Sequence, residues 1–125
     1  MRVILDTSLL MNCVESRVDL VRELERIITL PQPVIVDKTI DELKKHAAKK
    51  TKDGAVAKTV LTILDTLHIG VIRTVDGKES VDDLIVYNAT KDDYVATMDA
   101  FLKRRLKGKI KGIIVLRKKQ HLEIA

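Results

Sequence analysis

Two rhythms of apolar residues alternate along this chain. Short unbroken runs (Val3-Ile4-Leu5, Val34-Ile35-Val36, Val71 to Val75, Tyr94 to Thr97, Gly112 to Leu116) predict buried strands, because a strand covered on both faces has no polar positions to alternate. Between them, apolar positions recur at spacings of three, four or seven, the mark of one helical face. Ser8 to about Leu30 reads this way through Leu10, Val14, Val21, Leu24 and Ile28, and Glu15-Ser16-Arg17 is the place where it can break in two. Pro31-Gln32-Pro33 ends it, since proline lacks an amide and pushes its predecessor out of the helical region. Asp37 is expected to cap a helix to about Lys50 carrying Ile40, Leu43 and Ala47. Asp53-Gly54 reads as a turn, followed by a helix through Val56, Val60, Ile63, Leu64 and Leu67 that Gly70 closes. Asp76-Gly77 is a second turn. Ser80 starts a helix with Leu84, Ile85 and Ala89. Asp99 starts a short one with Leu102 and Leu106, ended by Gly108, and a basic polar tail follows the fifth strand.

Strand and helix alternate throughout, which predicts an α/β fold: a three-layer α/β/α sandwich with a five-stranded, mainly parallel sheet. No repeat, linker or low-complexity stretch divides residues 1–125, so one domain is expected. Ligands in such sheets bind beyond the carboxyl ends of the strands. Asp6 and Asp99 stand at two such ends.

Composition narrows the function. Hydrophobic residues make 46% and charged residues 33% of the chain, which excludes a disordered protein. No apolar stretch approaches bilayer length and no signal-peptide pattern opens the chain, so no membrane association is expected. Cys13 is alone; a reducing cytoplasm and a core role beside Leu10, Met11 and Val14 are the expectations. Net charge is +5, from 23 basic and 18 acidic residues. The basic residues cluster at Lys44-Lys45-His46, Lys49 to Lys52, Lys103-Arg104-Arg105 onward to Lys111, and Arg117-Lys118-Lys119. These fit a polyanion held through its phosphates. Three aromatic residues, Tyr87, Tyr94 and Phe101, are too few for a binding channel built on base stacking.

Each acid at a helix start has a plain structural use. Asp6 and Asp99 can cap the helices that follow them. Thr39 to Glu42 and Ser80 to Asp83 both fit a capping box. If Asp37 is the cap, Glu42 is free to face the crevice, with Asp41 as a second candidate. If Asp83 serves the box, Asp82 is free. Yet four helix starts supplying Asp6, Glu42, Asp82 or Asp83, and Asp99 to one sheet edge place like charges in one volume, and such a cluster takes up protons or a cation. Oxygen donors select Mg²⁺ or Mn²⁺. Zinc is not expected, because Cys13, His46, His68 and His121 have no ligand spacing. Carboxylates holding such an ion beside basic helices point to phosphodiester hydrolysis, the ion activating water. Thr7, Ser8 and Thr97 are candidates to orient that water.

The stretches "VILDTS", "DELKK", "SVDDLIVYNA" and "YVATMDAFLKRRL", in this order, resemble the PIN-domain ribonucleases over nearly the whole chain. The family pattern falls on Asp6, Glu42, Asp82 (with Asp83 as substitute) and Thr97-x-Asp99. The resemblance implies a PIN-like fold, a metal site made by these acids, metal-dependent endoribonuclease activity on RNA, and frequent homodimers. The family includes toxin nucleases, with antitoxin partners, and ribosomal RNA processing nucleases; the basic stretch from Met98 to Ile124 is more similar to the processing branch. RNA contacts are expected at Lys44, Lys45, Lys49, Lys103, Arg104 and Arg105. The alternative is a PIN-like module that binds RNA or protein without cutting. A receiver domain would need a phosphoacceptor Asp after the third strand and paired acids after the first. A nucleotide-binding domain would need a glycine-rich loop, and a dehalogenase-type phosphatase an Asp where Ser8 stands.

Overall fold

Alternation within the strands decides how the layers assemble. Val3 and Leu5 of β1 (Arg2–Leu5), Ile35 of β2 (Gln32–Val36) and Ala96 of β4 (Tyr94–Ala96) face one helical layer. Their sequence neighbours Ile4, Val36 and Val95 face the other. The first layer contains α1 (Thr7–Glu15), α2 (Leu20–Ile27), α3 (Asp37–Ala47) and α4 (Lys52–Thr66). The second contains α5 (Val81–Asn88) and α6 (Ala100–Leu106). Leu9, Leu24 and Leu43 on one side and Ile85, Leu102 and Leu106 on the other are fully buried, each worth about 1.5–3 kcal/mol of hydrophobic stabilisation.

The computed structural model describes residues 1–75 and 77–125. Among the described residues six strands form one sheet in the order β3-β2-β1-β4-β5-β6, with β3 at Gly70–Ile72, β5 at Gly112–Arg117 and β6 at His121–Ile124. The first five are parallel and β6 is antiparallel to β5. From β1 the chain adds β2 and β3 in one direction, then returns to add β4 and β5 on the other side. Right-handed crossovers in opposite directions put their helices on opposite faces. The order reverses between β1 and β4, which are neighbours with Leu5 level with Ala96.

Several expectations from the pattern are corrected here. The sheet has six strands, not five: the polar tail forms β6, whose Leu122 is buried while His121 and Glu123 are only partly so. The break expected at Glu15-Ser16-Arg17, by contrast, is present: α1 ends at Glu15 and Arg17 adopts a left-handed φ of 57°. Asp53-Gly54 is no turn but the first turn of α4, capped by Thr51. A Cβ at Gly54 would run into the Lys49 carbonyl oxygen, so glycine here serves close approach. His68, not Gly70, closes α4: at φ 51° it allows Ile69 to bond back to the Leu64 carbonyl (3.1 Å). The third strand ends at Ile72, short of Val75, and the turn expected at Asp76-Gly77 falls on Asp76, outside the described residues. Pro33 lies inside β2, tolerated because β3 reaches only as far as Val34.

Asp37 is also not a cap. It is the first residue of α3, and its carboxylate accepts from the Thr74 amide (2.9 Å), the Thr74 hydroxyl (2.5 Å) and the Lys38 amide (3.0 Å). The Thr74 hydroxyl, then its amide, hold the Asp37 carboxyl below its usual range. Thr74 is thereby fixed beside α3. Asp37→Ala should therefore speed limited proteolysis between Arg73 and Glu79. An unchanged cleavage pattern would show that Asp37 does not hold this segment.

Candidate functional site

Register brings the first two acids together. Asp6 follows β1, its amide bonded to the Ala96 carbonyl (2.9 Å), so Thr97 stands directly beside it. The Thr97 hydroxyl donates to Asp6 Oδ2 (2.7 Å) and accepts the Asp99 amide (3.0 Å). One buried hydroxyl thus spans two acids 93 positions apart (99 minus 6). The Ser8 hydroxyl also donates to Asp6 Oδ2 (2.8 Å), and the Thr7 amide to Oδ1 (2.9 Å). Asp6 is 4% exposed and Thr97 fully buried. Asp6 and Asp99 do cap α1 and α6, the latter accepting from the Phe101 and Leu102 amides through Oδ1 (2.8 and 3.1 Å). Capping and site-building are here the same act: the cap fixes the carboxylate at the sheet edge.

Asp82 and Asp83 divide as the capping argument requires. Ser80 and Asp83 form the reciprocal capping box of α5, and Asp83 also pairs with Arg105 of α6 (2.7 Å). The Arg105 side chain and the Ser80 amide hold Asp83 below its usual range. Asp82 accepts no hydrogen bond among the described residues. Burial, followed by the charges of Asp6, Asp99 and Glu42, pushes its carboxyl up to about 6, with Arg105 opposing. Asp82 therefore shares an electric field with Asp6, Asp99 and Glu42, and those four lie at one rim. Glu42 is half-buried in α3, which begins at Asp37, so the Thr39–Glu42 capping box does not form. Asp41 is exposed.

The donor set suits a hard divalent cation: oxygens only, negatively charged, and only partly offset at Asp82 by Arg105. Among the described residues, no three His, Cys, Asp or Glu side chains lie close enough to form a ready-made cage. Two buried hydroxyls, those of Thr7 and Thr39 in the first turns of α1 and α3, have no partner among the described residues. Cys13 is buried, its thiol pushed up to about 12 by desolvation and then by Glu23, and is inert.

The basic residues separate by position. Lys103 and Arg104 stand on α6 within five residues of Asp99, whereas Lys44 and Lys45 occupy the last turn of α3 and Lys49 lies beyond it. Arg105 is engaged by Asp83. A hollow of about 500 Å³ lined by Leu24, Ile28, Leu30 and Pro33 lies at the start of β2, the edge opposite the acids. The sequence reading missed the Asp37–Thr74 clamp, the Arg105–Asp83 pair and the exposed ring of Phe101. Only Phe101 had a signal, its place two residues after Asp99. No helix among the described residues is long and apolar enough to cross a membrane.

The family model described as a PIN-like domain matches residues 3–119. No curated protein matches the chain in sequence. Among solved structures, that of the PIN domain endonuclease Utp24 superposes with a TM-score of 0.83 at 23% identity, covering 98% of this chain and 90% of that one. At that identity the likeness concerns the fold.

Proposed function

The chain belongs to the PIN-like domain family, and on that premise we propose that it is a divalent-metal-dependent endoribonuclease hydrolysing RNA phosphodiester bonds. The observation that carries this reading is the buried Thr97 hydroxyl, which donates to Asp6 Oδ2 and accepts the Asp99 amide, fixing two acids at one edge of the sheet; burial and the charges of Asp6, Asp99 and Glu42 raise the carboxyl of half-buried Asp82. The fold match to an endonuclease of the same class supports it.

In this reading Asp6, Glu42, Asp82 and Asp99 hold Mg²⁺ or Mn²⁺. The ion supplies a Lewis acid that neutralises charge developing on the phosphate and acidifies water. Thr97 keeps Asp6 and Asp99 in fixed relation, and the Thr7 amide and Ser8 hydroxyl keep Asp6 from turning away. Arg105 ties α6 to α5, and so holds Asp99 and Asp82 at one distance. Lys103 and Arg104 lead the backbone phosphates to the rim, with Lys44, Lys45 and Lys49 as a remoter track. The basic run continuing to Lys107, Lys109 and Lys111 favours an RNA-processing role over a toxin with an antitoxin partner. A homodimer is carried over from the family resemblance. The lone buried Cys13 supports a cytoplasmic setting.

End-labelled single-stranded RNA should be cut in Mn²⁺, spared in EDTA, and cut again when Mn²⁺ exceeds the chelator. The second reading, a module that binds without cutting, draws on the absence of three acids at ligand spacing among the described residues. RNA bound but left intact in Mn²⁺ would establish it. A separate expectation concerns the ion alone. Mn²⁺ should raise the Tm, since it binds only the folded acids, and the rise should shrink in Asp99→Asn. Equal rises in both proteins would remove Asp99 from the site.

A further inference from the structure

We propose that Phe101, with Arg104 laid against it, is a stacking platform for one unpaired nucleobase beside the phosphodiester held at the acids. The identity of what lies at the acids rests on the nuclease reading above; the platform itself rests on the following placement.

Helical spacing turns Leu102 and Leu106 fully into the core and leaves Phe101 and Arg104 outside. Phe101 keeps 61% of its surface exposed. Its amide donates to Asp99 Oδ1 (2.8 Å), so the ring is rooted in the same capped turn as that acid. The Arg104 guanidinium stands over the ring, 5.6 Å from its centroid. A flat ring next to a planar cation is the surface on which a base stacks, with the cation free to meet a neighbouring phosphate.

The other rings stand elsewhere. Tyr94 opens β4, at the far edge of the sheet, where Lys111 lies 5.9 Å from its centroid. Tyr87 is in the last turn of α5, next to Asn88, whose carbonyl is held by Arg2 at the start of β1. Phe101 is thus the ring on the acid rim among the described residues. Three aromatic residues cannot line a channel, but one beside the site can seat one base while Lys103 and Lys107 take phosphates. The substrate this selects is a single strand, or a loop, with an exposed base face at the cut. A duplex keeps its bases stacked on one another and offers no such face.

The test is fluorescence anisotropy in EDTA at low salt, with labelled single-stranded RNA of about 12 nucleotides and a duplex of equal length. Wild type, Phe101→Leu and Phe101→Trp are compared. Phe101→Leu should weaken single-strand binding about tenfold, the scale of one lost stack, with Tm, duplex affinity and salt slope unchanged. Phe101→Trp should restore it. Equal single-strand affinity in Phe101→Leu and wild type, or an equal loss on duplex, overturns the platform, as does wild type that binds no single strand. The nuclease reading is judged separately in Mn²⁺. Cutting by wild type with binding indifferent to Phe101→Leu defeats the platform alone. Phe101-dependent binding without cutting upholds the platform and defeats the nuclease.

Discussion

Asp82→Asn is expected to lower Mn²⁺-dependent cleavage by more than about 100-fold, beyond the 10–100-fold typical of losing an outer-shell partner, while making the metal-free protein more stable at neutral pH. Both effects have one cause. In the folded chain the Asp82 carboxyl is raised from 3.8 to about 6, by burial first and then by Asp6, Asp99 and Glu42. The unfolded chain loses this proton first as pH rises. Below pH 4 both states keep the proton and there is no penalty. Between about 4 and 6 stability falls, and above 6 the full penalty is present. A fully shielded shift of this size would be about 3 kcal/mol. Asp82 is only half-buried, so solvent screening reduces it to about 1–2 kcal/mol. Losing a charge from the first turn of α5 returns about 0.3–1 kcal/mol of that. Asp82→Asn should therefore unfold at higher denaturant above pH 6 and match wild type near pH 4. The same proton must leave for an ion to bind, so acidification below about pH 6 should cost wild type about tenfold in apparent Mn²⁺ affinity per pH unit. Calorimetric titration at pH 5, 6 and 7 measures this. A variant less stable than wild type at pH 7, or a pH-independent Mn²⁺ affinity, would mean that the four acids do not repel one another.

Asp6→Asn should have a comparable effect on cleavage through a different route. The Asp6 carboxylate accepts from the Thr7 amide at one oxygen and from the Ser8 and Thr97 hydroxyls at the other. An amide keeps the Thr7 bond if its oxygen takes that place. The two hydroxyls can then rotate to accept, so the protein should fold at a cost of about 1–2 kcal/mol. What it cannot keep is the negative charge at the edge between β1 and β4. Single-turnover cleavage should fall by about 10²–10³-fold, the scale of losing one electrostatic stabiliser. A rate within tenfold of wild type would place the chemistry away from Asp6. The two variants separate by stability: Asp82→Asn relieves repulsion, whereas Asp6→Asn disturbs a satisfied network.

Much of the fold was legible because its signals are local. Apolar runs bounded by Asp6, Asp37 or Gly112 give strands, and spacings such as Leu102 to Leu106 give helix faces. The misses share one reason. His68 closes α4 and Asp53-Gly54 opens it because of where neighbouring carbonyls lie, not because of residue type. The final strand has only Leu122 fully buried, and it exists because β5 offers an unpaired edge.

The same division holds at the site. Order and spacing of Asp6, Glu42, Asp82 and Asp99 along the chain named the acids, and the capping box at Ser80 already freed Asp82 from Asp83. Which acids share a field was decided only by the sheet: the reversal of strand order between β1 and β4 sets Thr97 against Asp6, and Arg105 then ties α6 to α5. A sequence fixes what each residue can donate, accept or repel within a few positions of itself. Whether charges dozens of residues apart meet depends on distance through space, and only the packed chain sets that distance.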